Sequence, residues 1–219
     1  MTRILIARWD LTNAGLESQR AIRLDPHDGE LYYFRACVLA AMDRYAEAIK
    51  AARRSVELAP YERPSALAEM YFLDRQYDAA LSEVHLRLEA QPNNVALLWI
   101  LSDTSRRKGK YKEAFEAWER MLAATGDAKS ARQRRLAYEE GGWLGFIRWQ
   151  LRLSEGQAKS QYVSPVELAL YHAQLGEGEQ TLALLEFGPT PVHPSCSRTI
   201  SKGEVQPYLA RVPGIARVH

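Results

Sequence analysis

The sequence predicts an all-α fold, a solenoid of antiparallel helix pairs stacked along the chain. Two observations carry this. The stretch Val95 to Gly126 reads as two amphipathic helices broken at Gly109-Lys110. Three markers then hold one register along the chain. A small residue recurs at Ala14, Ala48, Ala80 and Ala114, at intervals of 34, 32 and 34. A bulky apolar residue three places earlier (Leu11, Tyr45, Tyr77, Tyr111) and a helix-ending residue (Pro26, Pro60, Pro92, Gly126) keep those same intervals. Self-similarity at a period near 34 marks a repeat architecture, in which each unit buries its apolar face only by stacking on its neighbours.

The best-formed unit shows why the pairs are antiparallel. Leu98, Leu101 and Ser105 share one face of the first helix. Lys108 sits in its last turn, and Gly109 supplies the left-handed residue that ends it. Tyr111, Ala114, Phe115, Trp118, Met121 and Leu122 form the apolar stripe of the second helix. So short a turn makes the two helices antiparallel neighbours. Ala114 is the position where a methyl group lets another helix come close.

The remaining elements follow in order. Residues 9–26 match only a second helix and its proline stop, and eight residues, MTRILIAR, stand where a first helix is expected. The chain thus begins mid-repeat, either as a stub helix or as a piece of a longer protein. The second unit, 29–60, pairs Gly29 to Met42 with Tyr45 to Ala59. The third, 61–94, pairs Pro64 to Asp74 with Tyr77 to Ala90, its first helix shortened because Pro60 and Pro64 crowd the junction. The fourth, 95–126, pairs Val95 to Lys108 with Tyr111 to Ala124. The fifth, 127–161, is degenerate: Ala128 to Glu140, a break at Gly141-Gly142, then Trp143 to about Leu153. There Phe146 fills the small slot, so close approach requires Gly145 to take that role. The sixth, 162–187, opens on Ser164-Pro165-Val166-Glu167, read as a capping box with proline at the first helical position. Gly176 separates its two helices. The repeat domain is thus expected over 1–187, with an irregular proline-containing tail over 188–219.

Composition narrows the function classes. The chain is 47% apolar and 26% charged, ordinary for a globular protein. Its net charge of +2 is too small to argue for nucleic acid or an anionic membrane. Half of the ten prolines fall after residue 188, which marks the tail. Cys37, inside a predicted helix, and Cys196 are read as unbridged, which fits a reducing compartment. Ile4-Leu5-Ile6-Ala7 is too short for a signal core and is closed by Arg8. No apolar run approaches the roughly 20 residues a membrane span needs. A soluble, cytoplasmic protein is expected. The motifs G-x-S-x-G, H-E-x-x-H and G-x4-G-K-[ST] are all missing, so no enzyme and no cofactor is expected.

The markers resemble the tetratricopeptide repeat, whose pattern is W-x2-L-G-x2-Y, then A-x3-F, then P. Unit three carries Leu67-Ala68-x2-Tyr71, Ala80-x3-Val84 and Pro92. Unit four carries Leu101-Ser102-x2-Ser105 and Ala114-x3-Trp118, and unit two Ala36-x2-Leu39, Ala48-x3-Ala52 and Pro60. The likeness spans about residues 9 to 187 and implies a right-handed superhelix of five to six units. Residues 8–26 and 161–186 also resemble the repeat region found beside winged-helix, cyclase or kinase domains in bacterial signalling proteins, although the tail does not follow those relatives.

The resemblance implies that the first helix of each unit lines a concave groove. The groove candidates are then Tyr33, Cys37 and Ala40; Ser65, Glu69 and Phe72; Trp99, Asp103, Arg106 and Arg107; and Arg132 and Arg135. The family's clamp for a carboxylate-ended peptide, built from Lys, Asn and Arg, is not matched, because Tyr33-Cys37 and Ser65-Glu69 stand in its place. Arg106, Arg107, Arg132 and Arg135 read either as a basic wall for an acidic peptide or as solvated helix surface. Trp99 reads either as a groove anchor or as core, and Trp118 and Trp149 as packing. His85 and His172 read as structural. His193-x2-Cys196 has too few ligands nearby for zinc.

The function expected is a non-catalytic scaffold that binds a peptide or protein, which is acidic if the arginines form a wall. The alternative is the sensory or regulatory region of a bacterial transcriptional regulator or signalling protein. Direct nucleic-acid binding is disfavoured by Glu62, Glu69 and Asp103.

Overall fold

The computed structural model describes residues 10–124 and 131–187. Every regular element among them is an α-helix: α1 (Leu11–Leu24), α2 (Gly29–Ala41), α3 (Tyr45–Leu58), α4 (Ala66–Leu73), α5 (Tyr77–Ala90), α6 (Val95–Arg107), α7 (Tyr111–Ala124), α8 (Ala131–Ala158), α9 (Pro165–Leu175) and α10 (Gly178–Phe187). The chain divides into two compact units between Ala128 and Lys129. The segment MTRILIAR, Gly126, His193, Cys196 and the tail 188–219 lie outside the described residues.

In the first unit each helix packs on the next, from α1 through α7. The first helices of successive hairpins also touch one another, α2 with α4 and α4 with α6. They therefore form the tighter, inner layer, and α3 and α5 lie outside them. Ala14, Ala48, Ala80 and Ala114 are all 0% exposed, as expected of residues at helix crossings. At the last of these the Ser102 hydroxyl donates to the Ala114 carbonyl at 2.7 Å, tying α6 to α7.

The proline stops act through the residue before each proline. Asp25, Ala59 and Gln91 share one non-helical conformation, with φ near −135°. Proline's ring clashes with a preceding α-helical residue, so each second helix ends there. Asp10, Asp28 and Asn94 cap α1, α2 and α6 by accepting from backbone N–H groups. The turn inside each hairpin needs a left-handed residue. Gly109 fills it at φ 74°, and Asp43 (58°) and Arg75 (60°) fill the equivalent turns. Only the glycine is visible as a turn signal in the sequence.

One helix start differs from expectation. α4 begins at Ala66 rather than Pro64. Arg63 N–H bonds to Ala59 O at 3.1 Å and Ala66 N–H to Arg63 O at 3.2 Å, so the chain makes two turns through Pro60 and Pro64 before the helix begins.

In the second unit α9 packs on α8 and α10 on α9. α8 is interrupted at Gly142, whose φ 58° and ψ −150° only glycine adopts readily. Its second half runs on to Ala158, beyond the expected Leu153. A Cβ on Gly145 would stand 2.4 Å from the Ala137 carbonyl oxygen. Gly145 therefore makes the close approach across the break, while Phe146 fills core at 1% exposure. The capping box at the start of α9 is not formed. Ser164 makes no side-chain cap, and the Glu167 carboxylate instead accepts from Ser154 and Tyr171 hydroxyls at 3.3 and 3.2 Å. One of these hydroxyls is on α9 itself and the other on α8, and together they take the carboxylate in place of the cap. Gly176 ends α9 in the left-handed region at φ 81°.

Candidate functional site

The inner layer of the first unit gathers seven of the predicted site residues into two adjoining groups. The first joins α2 to α4. Tyr33 donates its hydroxyl to Glu69 Oε2 at 3.1 Å, and both side chains are buried. Arg63, in the turn before α4, lays its guanidinium 4.8 Å from the Tyr33 ring centre and pairs with Glu30 at 2.5 Å. Burial pushes the Glu69 carboxyl up from 4.5 to about 7, although the Tyr33 hydroxyl and Arg63 both pull it down. Arg63 went unnoticed at the sequence level, because nothing in its spacing distinguishes it from a solvated loop arginine.

The second group joins α4 to α6. Phe72 meets Trp99 edge-on, with ring centres 5.6 Å apart, and Arg107 covers the Phe72 face at 5.0 Å. Arg106 and Arg107 both bond to Asp103, Arg107 Nε to Oδ2 at 3.0 Å. Burial raises the Asp103 carboxyl, but the two guanidiniums outweigh it and hold the group below the usual carboxylate range.

These placements sharpen the candidates. Tyr33, Cys37, Ala40, Glu69 and Phe72 are buried, so they shape the inner layer more than they present atoms to a partner. Arg106 and Arg107 are only 11% and 15% exposed and spend much of their hydrogen-bonding capacity on Asp103. Phe34, Arg63, Ser65 and Trp99 are half-buried and give the layer its accessible surface. Trp99 settles between its two readings: it packs on the cluster of Leu97, Leu98 and Leu101 and keeps one part exposed. Arg132 and Arg135 are exposed on α8, in the second unit.

His85 and His172 each face a carboxylate. His85 faces Glu113 at 3.4 Å, and His172 Nδ1 meets Glu177 at 2.6 Å beside the Gly176 turn. Among the described residues no three His, Cys, Asp or Glu side chains cluster as metal ligands. No described helix is long and apolar enough to cross a membrane.

No family model and no curated protein matches the chain. Among solved structures it is similar to one titled "Crystal structure of MamA", at 14% identity and a TM-score of 0.48, covering 85% of this chain and 91% of that one.

Proposed function

We propose that the helix pairs are tetratricopeptide repeats and that the chain is a non-catalytic scaffold binding a protein or peptide on the inner layer of its first unit. The observation that carries this is the continuous line from Tyr33 through Glu69 and Phe72 to Trp99 and Arg107, formed by three successive first helices. That buried line holds the three rods side by side, and the half-buried Phe34, Arg63 and Trp99 beside it suit an extended or helical segment lying across them. Binding of that kind needs only burial and hydrogen bonds. The partially exposed Trp99 is the anchor, and the Asp103, Arg106, Arg107 cluster, with one net positive charge, favours an acidic segment beside it.

The regulatory reading within a bacterial signalling protein uses the same surface and differs only in what the chain is joined to. Sequencing the gene upstream of Met1 discriminates the two. Cross-linking in the native host, followed by identification of what is bound, tests the scaffold itself. A synthetic segment of the captured protein is expected to bind the chain and to bind Trp99→Ala at least tenfold more weakly. Equal affinity for Trp99→Ala overturns the placement of the partner on this face. A charge-neutral Arg107→Gln is preferable to reversal, because glutamates at 106 and 107 would crowd three carboxylates together.

A further inference from the structure

The Tyr33–Glu69 contact is unusual for an inner layer held mainly by apolar packing. It joins residues 36 apart in sequence, on α2 and α4, and so bridges the first two complete hairpins. Both side chains are at least nine-tenths buried. A carboxylate in that position is expensive unless a cation accompanies it. The cation within reach, Arg63, is engaged elsewhere: it pairs with Glu30 and rests on the Tyr33 ring. Among the described residues Tyr33 from α2 and Arg63 from the preceding turn are the groups that bear on the Glu69 carboxyl, and α3, α5 and α6, which also pack on α4, add none.

From this geometry we propose that the buried Glu69 carboxyl makes a proton-operated clasp between the first two hairpins, closed when Glu69 carries its proton and loosened, in spite of the Tyr33 hydroxyl, by the cost of holding a charge in that dry position when it ionises. In the protonated state a neutral carboxyl accepts from Tyr33 in a dry setting, and Arg63 stays on Glu30. On ionisation the carboxylate draws Arg63 away from Glu30 or draws water inward. Either change disturbs the contact of α2 with α4. The direction follows from linkage. Burial holds the proton on Glu69 up to about 7, against 4.5 in the unfolded chain. The clasp's contribution is therefore full below 4.5 and is lost as pH rises through about 7. As a control on partner binding, the clasp rests on the inner layer being the contact surface. The clasp itself is tested on the chain alone, so its failure is separable from that of the proposed function.

The test is backbone hydrogen exchange from pH 5 to 8.5, corrected for intrinsic rates, on the wild-type chain, Glu69→Gln and Tyr33→Phe. In the wild type, protection of α2 and α4 amides is expected to fall on the order of 100-fold across this range, roughly tenfold per pH unit at first and levelling off above about 7. Amides of α7 serve as the internal control and keep their protection. Glu69→Gln is expected to abolish the pH dependence in α2 and α4. Tyr33→Phe removes a donor that favours the ionised form, so the pH at which its protection levels off is expected to be higher. Flat protection in the wild type overturns the proposal. So does an unchanged pH course in Glu69→Gln, or a levelling-off pH in Tyr33→Phe that stays put or moves down.

Discussion

Replacing Ala114 by Leu tests the register on which the whole repeat reading depends. Ala114 is 0% exposed where α7 crosses α6, and the Ser102 hydroxyl reaches its carbonyl at 2.7 Å. Three added carbon atoms find no room at such a crossing. Overpacking of this kind costs about 1–3 kcal/mol. Moving α7 outward to relieve it breaks the Ser102 bond, worth about 1 kcal/mol more. The total is about 2–4 kcal/mol. For a chain of this length each kcal/mol moves the melting temperature by roughly 2–4 °C, so a fall of about 5–15 °C is expected. The assay is thermal melting followed by circular dichroism at 222 nm. Lys112→Leu, on the same helix at a position whose side chain is 85% exposed, is the control and should stay within about 0.5 kcal/mol of wild type. An Ala114→Leu melt that coincides with the control refutes the assignment of residue 114 to a helix crossing.

Three further outcomes are expected. Gly142→Ala should destabilise by about 1–3 kcal/mol, whereas its neighbour Gly141→Ala should be neutral or slightly stabilising, because only Gly142 has a glycine-only conformation; paired urea titrations check this. Asp103→Asn should cost about 2–3 kcal/mol at pH 7, since Arg106 and Arg107 lose the carboxylate between them in a mostly buried setting. The Asp103 carboxyl is held below its ordinary value of 3.8, so its contribution is present above that value and lost as pH falls through the lower folded value; the gap between variant and wild type should therefore close below about pH 4 in acid titrations. Gly145→Ala should cost about 1–3 kcal/mol, because its Cβ meets the Ala137 backbone oxygen at 2.4 Å, and a denaturation midpoint equal to wild type would show that the two halves of α8 do not approach there.

The fold was legible where the determinant is local or periodic. The four alanines fell at 0% exposure because a three-marker register locates a crossing without knowledge of what crosses it. The proline stops worked because proline restricts its own predecessor, a constraint within two residues. Asp43 and Arg75 were not legible as left-handed residues, because arginine disfavours that region and aspartate enters it only occasionally, so neither residue type marks the turn as glycine does. The capping box failed for another reason: the Glu167 carboxylate is taken by two hydroxyls, Tyr171 one turn along its own helix and Ser154 on α8.

The candidate surface was legible as a set of positions and not as an arrangement. Periodicity places Tyr33, Glu69, Phe72 and Trp99 on successive first helices. It does not say that Glu69 is buried under Tyr33, that Arg63 reaches over both, or that Asp103 gathers Arg106 and Arg107 inward. Those facts depend on side chains from separate repeats, where a sequence pattern carries no distance. Of the four arginines read either as a basic wall or as solvated helix surface, two are drawn onto Asp103 in the first unit and two stand exposed on α8 in the second.

Position-resolved photo-cross-linking in the native host tests the central claim most directly. A benzophenone side chain is placed at residue 99 on the inner layer or at residue 112 on the outer layer of the first unit. Discrete protein adducts are expected from position 99 and none from position 112. Adducts from position 112 alone, or equal adducts from both, would contradict that claim.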